Sequence, residues 1–363
     1  MSCNRNGQFN RTFKEIIDYK NNIITVGAQD NIRRQGNYDA IWTYEIDKAG
    51  NVYVSNSNYY SIDKFDKNGC YLFSIGGIRH VAMNYPGWIE RFTIDSNENI
   101  IAYSNAPKQR FIKISPDGKD LKEYPINPEL KHADIRKIKI LPGGGLLLLA
   151  IVQENENSRF RLIRYEPETG KYQVIHIYNN TTGMLPSFIS ITPPFCVDAQ
   201  GNIYAGDNIK YGVIKYSPEG KPVDRFFKDI PSNPIENSDG NYLTEPFRIR
   251  RIPNFDAAQI QLKDGKGFLP ALFSIEIDNE KIFLWTSSQN LERKFIIDVY
   301  DLKWNYLYSI SYYNFLPDNM VFIRDGKFYA PKMGCDDQEY KNMIGRLSVL
   351  NIPTQIEIFQ LKN

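Results

Sequence analysis

Hydrophobic and polar residues alternate in short runs along most of this chain. Between residues 195 and 220, three apolar runs each show a period of two, and turn-forming residues separate them: Phe195–Val197, Ile203–Ala205 and Val213–Tyr216. A period of two is typical of β-strands, and the Gly, Asn, Asp and Pro clusters between the runs indicate tight turns. The stretch predicts an antiparallel meander that is too small to be stable alone.

The same pattern recurs along the chain. One residue ends the first strand of each predicted unit, and these residues lie 47 to 80 positions apart: Asp47, Asp95, Pro142, Asp198, Asp278 and Asp325. Repeats of this length are typical of propellers and solenoids. Each unit contains four predicted strands. The sequence therefore predicts an all-β fold, a six-bladed β-propeller of four-stranded antiparallel blades around a central channel.

The domain organisation follows from these repeats. Residues 1–12 are predicted to form a polar N-terminal tether, and residues 13–363 a single propeller domain. The segment Phe13–Val26 reads as one or two strands that help to close the ring, which would protect a sheet edge. The sixth unit already has a predicted fourth strand at Gln355–Leu361, so either the N-terminal strand adds to it or one strand is miscounted.

An insertion at 231–270 separates the fourth and fifth units and accounts for the longest interval. A seventh blade would have to lie within this interval. Loops of this length in a compact domain are usually functional or disordered. Because the insertion contains aromatic and apolar residues, we expect it to be ordered.

The first hairpin of the best-matching units carries a family resemblance. Units one and four contain Asp-x-x-Gly-Asn followed by a short aromatic strand, in DKAGNVYVS and DAQGNIYAG. This resembles the NHL-repeat family. Unit two has Glu98 in place of the glycine, and units five and six match weakly. The chain also resembles six-bladed propeller lipoproteins of Gram-negative bacteria. Such a resemblance implies a fold and hardly any function.

The N-terminus bears on localisation. Ser2 and Cys3 precede a polar run, which resembles the end of a bacterial lipoprotein signal peptide and implies lipid attachment at Cys3. The protein would then lie in the bacterial periplasm or cell envelope, with the lipid as its membrane contact. The alternative is an ordinary cytosolic start with an exposed cysteine.

Composition narrows the range of partners. The net charge is +2, so nothing global indicates nucleic acid or an anionic membrane. No apolar run reaches 18 residues, the length that a membrane-spanning helix requires. The four cysteines show no CxxC spacing and are too few for a disulfide scaffold.

Loop lengths distinguish the two faces of the predicted propeller. The first-to-second and third-to-fourth turns of each blade lie on one face, here called the turn face, and they are short. The second-to-third loops and the crossovers between blades lie on the opposite face, here called the irregular face, and they are long. Variable loops on a rigid scaffold are where binding residues collect.

Arginines and aromatics predict a binding site on the irregular face. The predicted ligand-binding residues are Tyr85, Trp88, Arg91, Arg136, Arg248, Arg250 and Arg251. Arg beside Tyr or Trp is typical of binding hot spots. The sequence therefore favours a non-enzymatic binding or scaffold propeller that recognises a protein, peptide or glycan, with no nucleic acid expected. The alternative interpretation is a solvated rim with chance charges.

Catalytic chemistry receives little support from the sequence. No Ser/His/Asp or Cys/His arrangement stands out, and no cofactor is expected. The glycines at 143–145 predict a hairpin turn rather than a phosphate-binding loop, since no Lys-Ser/Thr follows. The repeated aspartates are expected to cap their own turns. Weak candidates for a divalent metal at the channel mouth are His80, His132 and Glu90, and a metal-dependent lyase or lactonase is the alternative function.

Overall fold

The structure is a computed structural model. It describes residues 12, 24–26, 41–56, 61–76, 89–105, 108–154, 157–178, 192–207, 210–230, 234–235, 267–268, 271–289, 295–312, 322–332 and 355–360. Within these ranges, no helix is long and apolar enough to cross a membrane.

Six four-stranded antiparallel sheets make up the fold, which confirms the predicted six-bladed propeller. The first two blades contain β2 (Ile41–Ile46), β3 (Val52–Asn56), β4 (Ser61–Phe65) and β5 (Tyr71–Gly76), then β6 (Ile89–Ile94), β7 (Ile100–Ser104), β8 (Arg110–Ile114) and β9 (Leu121–Pro125). The third blade contains β10 (Asp134–Ile140), β11 (Leu146–Glu154), β12 (Asn157–Glu166) and β13 (Lys171–Ile177). The fourth blade contains β14 (Phe195–Val197), β15 (Ile203–Gly206), β16 (Tyr211–Tyr216) and β17 (Pro222–Lys228).

The predicted insertion separates the fourth and fifth blades. Two short strands, β18 (Pro234–Ile235) and β19 (Gly267–Phe268), pair near its two ends, and the residues between them lie outside the described part of the chain. The fifth blade follows, with β20 (Leu272–Asp278), β21 (Lys281–Gln289), β22 (Phe295–Asp301) and β23 (Tyr306–Tyr312).

The last blade closes the ring with a strand from the N-terminus. Its strands follow the order β24 (Phe322–Arg324), β25 (Lys327–Lys332), β26 (Gln355–Gln360) and β1 (Ile24–Val26). The prediction that the N-terminal segment helps to close the ring is confirmed. The assignment of Gln355–Leu361 as a fourth strand is wrong, because β26 pairs directly with β25 and is the third strand. Pairing of β1 with β26 covers an edge that would otherwise be open.

The hydrophobic core lies between neighbouring blades. Tyr44 and Val54 of the first blade pack with Tyr329 and Ile356 of the last, for example, and all four are buried. Alternate residues of a strand point to opposite faces of its sheet. The period-two pattern therefore buries apolar side chains against a neighbouring blade on each side.

The repeated aspartates have the predicted structural role in three blades. Asp47 Oδ1 accepts hydrogen bonds from the amides of Ala49 and Asn51 at 2.9 and 2.8 Å. Asp95 and Asp198 accept the equivalent pairs. These bonds satisfy turn amides that would otherwise lack partners.

The other three landmarks need correction. Leu141, not Pro142, holds the equivalent position in the third blade, since its amide donates to the Gly145 carbonyl as that of Asp47 donates to Asn51. Asp278 accepts from the amides of Asp325 and Gly326 in the next blade rather than capping its own turn. Asp325 lies in the turn itself, with a φ of 51°.

The three-glycine stretch forms the predicted hairpin turn between β10 and β11. The Gly144 amide donates to the Leu141 carbonyl at 3.0 Å. Gly143 and Gly144 have φ values of 99° and 94°, a region that residues with a side chain rarely adopt. Backbone geometry therefore accounts for these glycines.

One crossover departs from the predicted arrangement of faces. The link between the second and third blades forms a 3-10 turn at Pro128–Leu130, and the side chain of Asn127 donates to the Gly170 carbonyl at 2.8 Å. Gly170 belongs to a third-to-fourth turn, which lies on the turn face. The assignment of Asn127–His132 wholly to the irregular face is therefore wrong. Because the sheets twist, the outer strands are inclined to the inner ones. This crossover therefore begins beside the third-to-fourth turn of the third blade.

Candidate functional site

The innermost strands of the six blades place one equivalent residue each around the channel. Each of these residues pairs with the equivalent residue of the second strand of its own blade. We call them the lower layer: Glu45, Thr93, Lys139, Cys196, Glu276 and Phe322. The position is the penultimate residue of the strand in four blades. In the fifth and sixth blades it is the third residue from the end of the strand, because the hairpin turn there is tighter and the first two strands pair over one more residue.

Contacts across the channel confirm that the lower layer converges. Lys139 Nζ lies 2.9 and 3.1 Å from the two carboxylate oxygens of Glu45. The same ammonium lies 4.3 Å from the centroid of the Phe322 ring. Lys139 therefore joins the third blade to the first and the last, and its charge is matched by that of Glu45.

A second layer lies two residues earlier on the same strands, nearer the irregular face. Arg91, Lys137 and Ser274 occupy it in the second, third and fifth blades, and we call them the upper layer. A β-bulge precedes each of the three in its strand. Bulges bend a strand and change the direction of its side chains, and they are common beside functional sites.

Lys137 is the most unusual member of the upper layer. Its Nζ is buried, and among the residues that the structure describes it makes no hydrogen bond. The ammonium lies 5.1 Å from the centroid of the Phe195 ring. Removal from water, with the charge of Lys139 as a second cause, lowers the pKa of Lys137 to about 8.

Two further polar atoms, both on the innermost strand of the fifth blade, also lack hydrogen-bond partners among the described residues. Ser274 Oγ and Glu276 Oε1 are buried, and neither has a hydrogen-bond partner within the described ranges. Burial raises the pKa of Glu276 to about 7, partly offset by the charges of Lys137 and Lys139. Burial also raises the pKa of the Cys196 thiol well above its usual value, which keeps this cysteine protonated and unreactive. Buried polar groups in native proteins are nearly always hydrogen-bonded, so the missing partners are notable.

Two of the sequence-predicted ligand-binding residues are in contact, Arg91 of the upper layer and Arg136 of the neighbouring blade. Arg91 Nε donates to the backbone carbonyl of Arg136 at 2.8 Å. Arg136 is the extra residue of the bulge in β10, and its Nη2 lies 2.6 Å from Asp134 Oδ2. Both arginines lie near the starts of their strands, where the chain enters from the irregular face. Their ligand-binding role stays a prediction.

The remaining predicted site residues lie outside the described part of the chain. These are Cys3, His80, Tyr85, Trp88, Arg248, Arg250 and Arg251, together with the side chain of Glu90. His132 is described and exposed, two residues before β10. No group of three or more potential metal ligands occurs among the described residues. The metal site therefore stays a prediction, which metal analysis of the purified protein would test.

The charged residues of the channel were not predicted from the sequence. Glu45, Lys137, Lys139 and Glu276 interrupt the apolar runs of the innermost strands, as in DIRKIKI and LFSIEID. Charged residues at alternate strand positions normally face solvent. Their recurrence on the first strand of several units could have revealed them, because the first strand of each blade lines the channel.

Comparison with solved structures supports the fold. The chain is similar to a member of the DUF4221 family from Bacteroides vulgatus, with 10% identity and a TM-score of 0.55 over 94% of this chain and 96% of the other. It is also similar to a candidate exported protein from Bacteroides fragilis, with 11% identity and a TM-score of 0.53 over 97% and 98% of the two chains. A calcium-binding protein, regucalcin, from Agrobacterium tumefaciens has 10% identity and a TM-score of 0.50 over 90% and 93%. At these identities the likeness shows the fold alone.

Neither of the two sequence comparisons finds a relative. No protein-family model matches the chain, and no curated protein matches it.

Proposed function

We propose that this protein is a non-enzymatic binding propeller that recognises a protein, peptide or glycan on its irregular face. The observation that carries the proposal is the contact between Arg91 and Arg136. The Arg91 guanidinium donates to the backbone carbonyl of Arg136, so two arginine-bearing strands of neighbouring blades meet near their starts, where the chain enters from the irregular face. Arginine provides several donors in a fixed geometry and stacks on aromatic rings, so it suits recognition of polar ligands.

The turn face supports the same conclusion by contrast. Its aspartates and serines bind the amides of their own turns, as Asp66 does with Asn68 and Cys70. Polar groups that are already satisfied in this way have little capacity for a partner. The long loops and the insertion are predicted on the irregular face, and β18 and β19 pair near the two ends of the insertion.

An array of immobilised glycans and peptides tests the proposed face. We expect Trp88→Ala and Arg250→Ala to weaken binding of the array ligands by about tenfold or more, as truncation of interface anchors does. Asn68→Ala and Glu219→Ala, at exposed positions on the turn face, serve as matched controls and should bind as the native chain does. The proposal is wrong if the turn-face variants lose binding while the others keep it.

We further propose that the protein is anchored in the bacterial envelope by a lipid on Cys3. The support is the sequence around Cys3, where a small residue precedes the cysteine and a polar run follows. Mass spectrometry of the natively produced protein tests this. An N-terminal peptide whose Cys3 carries no lipid would contradict it.

A further inference from the structure

We propose that the channel binds a small carboxylate in its upper layer, with Lys137 as the counter-charge and Ser274 as a second hydrogen-bond donor. The proposal rests on the proposed function, since the ligand would enter from the irregular face. The chemical class of the ligand would then be a small carboxylate.

The unsatisfied donors favour a ligand with negative charge. Lys137 Nζ and Ser274 Oγ are buried donors without partners among the described residues, and they come from the third and fifth blades. Arg91 occupies the same layer in the second blade. A ligand that meets two unsatisfied donors must supply acceptors, and a carboxylate supplies two oxygens with no competing donor. The third unsatisfied group, Glu276 Oε1, is an acceptor, but the raised pKa of Glu276 leaves it partly protonated near neutral pH, so it repels an anion less than an ordinary carboxylate would.

The charges around the channel also favour an anion. In the lower layer, Glu45 already neutralises Lys139 through a close ion pair. Lys137 has no such partner, because Glu276 is close enough to influence its pKa but forms no ion pair with it in the described structure. An uncompensated ammonium in a partly dehydrated channel attracts anions and repels cations.

Access to Lys137 is consistent with a small ligand. The residue as a whole is only partly buried, although its Nζ is enclosed. A lysine has a long flexible stem, so its ammonium can leave the Phe195 ring and meet an entering carboxylate. Arg91 lies near the entrance and would attract the anion toward it, whereas the charge of Arg136 is already paired with that of Asp134.

Isothermal titration with matched probes tests the proposal. The probes are acetate against acetamide, which differ in charge but hardly in size. Glucuronate and N-acetylglutamate then show whether a sugar acid or an amino-acid derivative is the better carboxylate. We expect acetate to bind the native chain, acetamide to bind at least tenfold more weakly, and Lys137→Met to reduce the affinity for acetate at least tenfold. Ser274→Ala should cause a smaller, several-fold loss.

Lys215→Met is the matched control. Lys215 also lies 5.1 Å from an aromatic centroid, that of Tyr204, but it belongs to β16 and not to an innermost strand. This variant should bind acetate as the native chain does. The proposal is overturned if acetate and acetamide bind equally, or if Lys137→Met binds acetate unchanged. If no carboxylate binds while Trp88→Ala still reduces array binding, this inference is wrong and the proposed function stands.

Discussion

Replacing Glu276 by glutamine is expected to stabilise the protein increasingly as the pH rises. The pKa of Glu276 is about 7 in the folded chain, against an ordinary value of 4.5. Between these values the folded state retains a proton that the unfolded state has lost, so the native chain loses stability as the pH rises from 4.5 to 7. Glutamine cannot ionise. The advantage of Glu276→Gln in unfolding free energy should therefore grow from about 1 kcal/mol at pH 5 to about 3 kcal/mol at pH 8.

Lys137→Met is expected to show the opposite pH dependence. The pKa of Lys137 is about 8 when folded, against an ordinary value of 10.5. Below pH 8 the folded state must hold an ammonium in a dehydrated site, and this cost disappears as the pH rises toward 10.5. The advantage of Lys137→Met over the native chain should fall from about 3 kcal/mol at pH 7 to about 1 kcal/mol at pH 10.

Urea unfolding measures the unfolding free energies of the native chain and of both variants, from about pH 5 to about pH 10. Each variant is compared with the native chain at every pH. Constant differences for Glu276→Gln and Lys137→Met would show instead that the channel does not perturb these groups.

The expected stabilisation has a bearing on function. Replacing buried charged residues by apolar ones is often neutral or stabilising, so an unpaired buried lysine brings no benefit to the fold by itself. Titratable groups with strongly shifted pKa values are common at functional sites. A carboxylate beside Lys137 would offset the cost of burying its ammonium.

The blades could be predicted from sequence because strand periodicity and turn chemistry agree in most units. The turns after Asp47, Asp95 and Asp198 combine a capping aspartate with a residue at positive φ, Gly50, Glu98 or Gly201. Both signals come from the local chain. In the last blade Asp325 lies in a tighter turn at positive φ beside Gly326, and the third strand was counted as the fourth. Only the long-range pairing of β1 with β26 resolves that count.

The central channel was predicted, but the charged residues that line it could not be, because they are distant in sequence. Glu45 and Lys139 are 94 positions apart, and the closure of six innermost strands brings them together. In a single strand, Lys137 and Lys139 read as a solvent-facing row. Arg91 and Arg136 could be singled out from the sequence because they lie beside loops, where hot-spot composition is informative, and their binding role stays a prediction.

A bulky polymer is expected to reduce ligand binding when it is attached to the irregular face, and to leave binding unchanged when it is attached to the turn face. Cys70 is an exposed free cysteine in a third-to-fourth turn, so it marks the turn face. Asp134 is an exposed residue at the start of β10, beside Arg136, and Asp134→Cys in a Cys70→Ser chain marks the irregular face. With Cys3 and Cys335 replaced by serine, a polyethylene glycol maleimide then reacts at a single position, since Cys196 is buried.

Binding of these two conjugates to the glycan and peptide array tests the central claim most directly. The conjugate at Cys70 should bind the array as the unmodified chain does, whereas the conjugate at position 134 should lose binding by about tenfold or more, because the polymer covers the channel entrance. Loss of binding by the Cys70 conjugate, with full binding retained at position 134, would contradict the assignment of the binding face.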